Sequence, residues 1–187
     1  MEKSEQRSVD AERSVLVLVD YQQRLLPALD GGEAALGEAL RLADAARGLG
    51  IAVLGTEQNP AGLGPNDERI RARCASTLAK MHFDACADGL LEALPRAAPL
   101  DVVIAGCEAH VCLLQTALGL LRAGHRAWVV APACASRRAE DRALAMQRLR
   151  QAGAAIVSVE MVVFEWLRGC RHEHFRPTLQ LLKAPRA

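Results

Sequence analysis

Short apolar runs, each followed by a stretch whose apolar residues return at helical spacing, are what most constrain this chain. The clearest is Asp101–Gly106 (DVVIAG), with His110–Ala123 as the helix behind it and Gly124 closing that helix. Ser14–Val19 precedes a helix over Glu33–Gly48, and Ile51–Gly55 reads as a second strand. Residues 56–66 (TEQNPAGLGPN) contain two prolines and two glycines and are expected to form a loop, with Asn66 capping a short helix over Asp67–Arg73. Thr77–Lys80 and Asp84–Leu94, then Arg126–Ala131 and Glu140–Gln151, repeat the strand–helix pattern. Ala155–Val159 is the last strand, followed by helices over Met161–Leu167 and Glu173–Leu182. Continuously apolar strands alternating with amphipathic helices predict a sheet covered on both faces. Right-handed crossovers then give an α/β fold, a three-layer α/β/α sandwich with a mainly parallel, Rossmann-like central sheet. Residues 1–13 are expected to be a flexible N-terminal segment, and 14–187 one domain.

Bulk properties exclude several classes of function. With 187 residues, 51% of them hydrophobic, the chain can bury one good core. Its 23 basic and 22 acidic residues leave a net charge of +1, and aromatics amount to 3%. Neither a phosphate-binding face nor a base-stacking surface is expected, so no nucleic-acid partner. The longest apolar runs are strand-sized, which predicts no membrane partner. The N-terminus is charged and lacks an apolar core, so no secretory signal is read. Six scattered cysteines without a CxxC pair point to the reducing cytoplasm rather than to a disulfide framework.

In a parallel sheet, ligands bind outside the carboxyl ends of the strands. Asp20 ends the first strand, the TEQNP segment follows the second, Lys80 closes the third and GCEAHVC follows Asp101–Gly106. Asp20 alone suits a turn as well as a site. Lys80, flanked by Leu78, Ala79 and Met81, is either a solvated lysine or a partly buried one needing a carboxylate such as Asp20. Cys112 falls in the first turn of a helix, where the helix dipole and a nearby Lys80 would lower its pKa; the bland alternative is a buried thiol. First-turn N–H groups there lack intrahelical partners and suit an oxyanion.

The segments VLVLVDYQ (Val15–Gln22), TEQNPAGLGP (Thr56–Pro65), AKMHF (Ala79–Phe83), DVVIAGCEAHVCLLQTALGLLRAGH (Asp101–His125) and Ser136–Leu167 together resemble the isochorismatase-like cysteine hydrolase superfamily. The resemblance implies a catalytic triad of Asp20, Lys80 and Cys112. The aspartate would take the thiol proton, and the thiolate would attack a carbonyl to give a thioester that water releases. It also implies a cis Cys107–Glu108 peptide, aiming the N–H groups of Glu108 and Cys112 at the oxyanion. Gln22, Glu57, Gln58 and His110 are candidates for substrate contact. Glu57 and Gln58 are equally readable as polar surface, and His110 as a turn cap.

Departures from the family pattern narrow the expectation. Nicotinamidases of this superfamily hold a metal through an aspartate and histidines in the loop after the second strand; TEQNPAGLGP has neither. His172 and His174 form the one HxH pair, in a charged C-terminal stretch. No metal and no cofactor are expected. A retained cysteine favours acyl transfer over the vinyl-ether cleavage of true isochorismatases. Pro132 stands where many relatives carry an aspartate, in PACASR, with Ser136 and Arg137 retained. The resulting expectation is a cysteine hydrolase of a small amide or ester, assembled as a homo-oligomer with a helix face including Trp166 as a possible contact. The alternative is a catalytically idle small-molecule-binding or assembly protein of the same fold.

Overall fold

The computed structural model describes residues 8–95 and 99–184. Six strands form one fully parallel sheet: β1 (Ser14–Val19), β2 (Val53–Gln58), β3 (Ser76–Lys80), β4 (Asp101–Gly106), β5 (Arg126–Val130) and β6 (Ala155–Val157). Their order is β3-β2-β1-β4-β5-β6. The central strands β1 and β4 are almost wholly buried, as their unbroken Val, Leu and Ile content requires of strands covered on both sides.

Helix α1 (Gly32–Gly48) buries Ala35, Leu36, Ala39, Leu42, Ala43 and Ala46, a stripe at helical spacing. The short helices α2 (Pro60–Leu63), α3 (Glu68–Arg71) and α4 (Leu90–Ala93) lie in the connections around β3. Helices α5 (Leu114–Arg122) and α6 (Ala139–Gln151) pack together on one face. On the other, α7 (Val159–Leu167) and α8 (Phe175–Lys183) pack on α1. The chain winds outward in both directions from the β1/β4 pair, so the crevice at the carboxyl ends of those two strands is the place the topology offers a ligand.

The elements differ from expectation where polar residues are buried or a special dihedral intervenes. Strand β2 runs on through Thr56 and Gln58, which are buried, so hydropathy does not mark its end. Asp67, not Asn66, caps α3, accepting from the Arg69 N–H at 2.9 Å. Gly89, at φ 102°, splits the expected helix over Asp84–Leu94 into a 3₁₀ turn (Ala85–Asp88) and α4. A π-helical turn over Ala109–Leu113 precedes α5. Ser158 ends the last strand early by capping α7, its hydroxyl accepting from the Met161 N–H.

Residues 1–7 of the expected flexible lead-in lie outside the described residues, while within 8–13 the chain is tied down at two positions. Val9 is buried and donates its N–H to Glu165, and Asp10 caps a 3₁₀ turn over Ala11–Arg13. Trp166, on the helix face considered for an intermolecular contact, is 2% exposed, with its indole N–H bonded to the Ser14 hydroxyl at 2.8 Å.

Candidate active site

At the carboxyl end of the sheet, β1 and β4 approach closely. A side chain at Gly106 would overlap the Val19 carbonyl oxygen and Cβ, and the Cys107 N–H donates to that same carbonyl at 2.9 Å. Immediately after β1, Asp20 adopts a left-handed backbone (φ 55°), a conformation aspartate tolerates better than most residues. Its N–H bonds to Thr56 O, and its Oδ1 accepts from the Thr56 hydroxyl at 2.6 Å.

Lys80 is the register partner of Gln58 across β2 and β3. Its Nζ lies 2.8 Å from Asp20 Oδ2, and neither side chain is exposed to solvent. The ammonium aims its hydrogen bonds at Gln58 Oε1 (2.6 Å) and His82 O (3.4 Å). Asp20 Oδ2 is thus paired with a buried cation, and the Asp20 carboxylate also interacts with the Cys112 thiol. A buried ion pair of this kind is held because each charge would be costly alone.

Cys112 comes to this pair from the π-helical turn. Its thiol lies 3.8 Å from Gln58 Oε1, and the side chain is nearly buried. Lys80 and Cys112, far apart along the chain, thus meet at one glutamine oxygen, with Asp20 against Lys80. Burial pushes the Cys112 thiol up to about 12; the Asp20 charge adds to the rise, and Lys80 opposes it without reversing it. The direction is opposite to the expected lowering: desolvation and the Asp20 charge outweigh the Lys80 ammonium, so the protonated thiol is favoured.

The Cys107–Glu108 peptide is cis. The Glu108 carboxylate turns to Arg137, at 2.6 Å, rather than toward the sulfur. His110 Nδ1 lies 2.9 Å from the Ser136 hydroxyl, half-buried beside the π-helical turn. In the segment with Pro132, Tyr21 OH bonds Ala133 O, and Arg142 donates to Cys134 O (2.8 Å) and Ala131 O (2.5 Å), so an arginine secures that loop.

Three candidates for substrate contact have other work. Gln22 is buried and fully engaged: Nε2 donates to Gln58 O (3.0 Å) and Gly64 O (2.6 Å), and Oε1 accepts from Gln58 N (2.8 Å). Glu57 points to the opposite face of β2, where its carboxylate accepts from the Asn66 N–H at 2.8 Å. Gln58 reaches the site, but as a bridge between Lys80 and Cys112. The rings of His172 and His174 lie 5.6 Å apart on the exposed C-terminal stretch, and among the described residues no three potential metal ligands cluster.

Sequence reasoning missed Thr56, although the period-two alternation of Thr56-Glu57-Gln58 places Thr56 and Gln58 on the face bearing Asp20. It also missed the strap from Met81 to Asp88, which is stitched to α5. Thr116 Oγ1 accepts from Ala85 N (3.0 Å) and donates to Phe83 O (3.3 Å), and Asp84 pairs with Arg122 at 2.8 Å. Gly119 leaves room for the Asp84 carboxylate, which a Cβ there would meet at 2.6 Å.

Comparison with known proteins follows this geometry. A family model described as the isochorismatase domain matches residues 14–161. Isochorismatase domain-containing protein 2A of Mus musculus is 33% identical over 174 residues, spanning 93% of this chain and 84% of its own. A structure named MAR1 ribonuclease from Caenorhabditis elegans matches at TM-score 0.90 and 29% identity, over 97% of this chain and 95% of that one. The Escherichia coli YcaC gene product, described as an octameric hydrolase of unknown specificity, shares the fold at TM-score 0.89 and 23% identity, over 96% of this chain and 91% of its own.

Proposed function

The chain belongs to the isochorismatase family, and from that premise we propose that it hydrolyses a small amide or ester through Cys112, with Asp20 as proton acceptor and Lys80 as the cation beside it. The observation that carries this reading is the convergence of a buried carboxylate, an ammonium 2.8 Å from its Oδ2 and a thiol that interacts with both. A carboxylate within reach of a thiol is placed to accept its proton.

Because the thiol rests protonated, attack and proton transfer belong to one step. As Sγ bonds to the carbonyl carbon, its proton passes to Asp20 Oδ2 and the carbonyl electrons move onto oxygen. The oxyanion would lie against the N–H groups of Glu108 and Cys112. Collapse breaks the bond to the leaving amine or alcohol, which departs with the proton held by Asp20. Water then attacks the thioester, giving a proton to Asp20, and the acid leaves as the thiol regains it. Lys80 keeps Asp20 close and offsets the negative charge that accumulates.

Incubation of the purified protein with p-nitrophenyl acetate and a panel of small amides, followed by intact-mass spectrometry, tests the proposal. An acyl adduct on Cys112 that is absent from Cys112→Ala supports it; turnover undiminished in that variant removes it. Degradation of RNA by the wild type and by Cys112→Ala alike would instead favour the activity in the nematode protein's name. A homo-oligomer belongs to the same reading, supported by the exposed Met81, Phe83, Leu144, Met161 and Phe164 and by the octameric neighbour, and is measured by light scattering. A reducing, cytoplasmic setting is supported by six unpaired cysteines.

A further inference from the structure

Asp88 lies outside the catalytic cluster, at the end of the 3₁₀ turn in the strap, yet its bonds converge on the residue at the centre of the site. Asp88 Oδ2 accepts from the N–H groups of both Met81 and His82, each at 2.7 Å, and Oδ1 lies 2.8 Å from His82 Nδ1. The peptide unit joining Met81 to His82 is therefore held at both ends. Its N–H points out to Asp88, and its carbonyl, Met81 O, points in and accepts from Gln58 Nε2 at 2.8 Å. A planar peptide fixed at both ends cannot turn about its flanking bonds. Once that carbonyl is fixed, so is the Gln58 side-chain amide. Its NH₂ must face Met81 O, which leaves Oε1 facing Lys80 Nζ and the Cys112 thiol.

We propose that Asp88 is a positioning residue for hydrolysis, acting through the Met81–His82 peptide to hold the Gln58 oxygen against Lys80 and Cys112. The inference rests on the reading of Asp20, Lys80 and Cys112 as the hydrolytic site. Independent support comes from the anchoring of the strap. Thr116, Gly119 and Arg122 of α5 grip Phe83–Ala85, so the segment carrying Asp88 is fixed to the helix that follows Cys112. The His82 ring and the two N–H donors pull the Asp88 carboxyl down to about 2, so it accepts as a carboxylate throughout the neutral range. Without Asp88, the Gln58 amide is free to flip and present NH₂ to the ammonium. Lys80 would then shift away from a sulfur for which it is the nearby positive charge.

The test needs no identified substrate. Iodoacetamide alkylation of Cys112 is followed by peptide mass spectrometry over a series of pH values, with the exposed Cys170 as an internal reference and the melting temperature as a check on folding. Asp88→Ala is expected to slow Cys112 alkylation about five- to tenfold near pH 8 and to move its pH profile upward, leaving Cys170 unchanged. Asp88→Asn, whose carbonyl oxygen can accept both N–H groups, should restore the rate to within about twofold of wild type. A Cys112 rate and pH profile in Asp88→Ala equal to wild type overturns the positioning role while leaving the site reading intact, provided Lys80→Met is slowed. Equal loss in the Ala and Asn variants also overturns it, since geometry would not be what Asp88 supplies. If Lys80→Met alkylates as fast as wild type, the site reading itself falls and takes this inference with it.

Discussion

Two fully buried aspartates sit at opposite ends of the sheet, and their surroundings could hardly differ more. Asp101 opens β4 at the amino end. Its oxygens receive Arg126 Nε (2.5 Å) and Nη2 (2.8 Å), Trp128 Nε1 (2.9 Å) and the Asp10 N–H (3.0 Å). Asp20, just past β1 at the carboxyl end, receives the Thr56 hydroxyl on one oxygen and has the Lys80 ammonium 2.8 Å from the other. Residue type and burial are the same; what separates them is the number of donors. A carboxylate saturated by fixed donors ties β4, β5 and the N-terminal arm together. One held by a hydroxyl and an ammonium keeps acceptor capacity to spare.

The contrast can be broken most decisively by substituting both ends. Cys112→Ala should lower hydrolysis by about 10⁴-fold and Asp20→Asn by about 10³-fold. Steady-state kinetics will read the loss, and urea unfolding should report a far smaller change in stability for Cys112→Ala than at Asp101, whereas Asp20→Asn also destabilises because it strands the buried Lys80. Asp101→Ala should do the reverse. Stranding Arg126 and Trp128 costs about 3 kcal/mol, which lowers the melting temperature by roughly 6–12 °C, while the folded fraction keeps wild-type turnover. A large activity loss at Asp101 with stability intact would erase the distinction. Thr56→Val, which removes the hydroxyl that donates to Asp20 Oδ1, should reduce turnover about tenfold with a change in stability near 1 kcal/mol.

Proton linkage sharpens the same comparison. The Cys112 thiol is raised to about 12 from an ordinary value near 9, so the native state holds its proton more tightly than the unfolded chain. That contribution to stability is complete below about pH 9 and fades as pH rises toward 12. Alkylation of Cys112 should accordingly climb about tenfold per pH unit through the neutral and mildly alkaline range rather than levelling near neutrality. A plateau near pH 7 would mean that the sulfur is anionic at rest.

The fold was readable because β1 and β4 are unbroken apolar runs, and the helices behind them show helical spacing. Asp20, Lys80 and Cys112 were findable as polar residues at strand ends. Less was visible at β2, where Thr56 and Gln58 are buried but polar, so hydropathy stopped the strand early. Gln22 was read toward substrate because its type suits that task; only coordinates reveal that both its N–H groups and its Oε1 are bonded to Gln58 and Gly64. The charge of Cys112 was misjudged because sequence gives the sign of a helix dipole but not the degree of burial. The link from Asp88 to Gln58 passes through a backbone carbonyl, which carries no residue-type signal at all.

Gly106 has a practical consequence for anyone wishing to retarget this scaffold. Because any side chain there would wedge β1 from β4, the spacing between the turns bearing Asp20 and Cys112 is set by bare backbone and offers no dial to adjust. New selectivity has to be sought just past β3, where the side chains of Met81 and Phe83 stand open to solvent and can be exchanged without prying the strands apart.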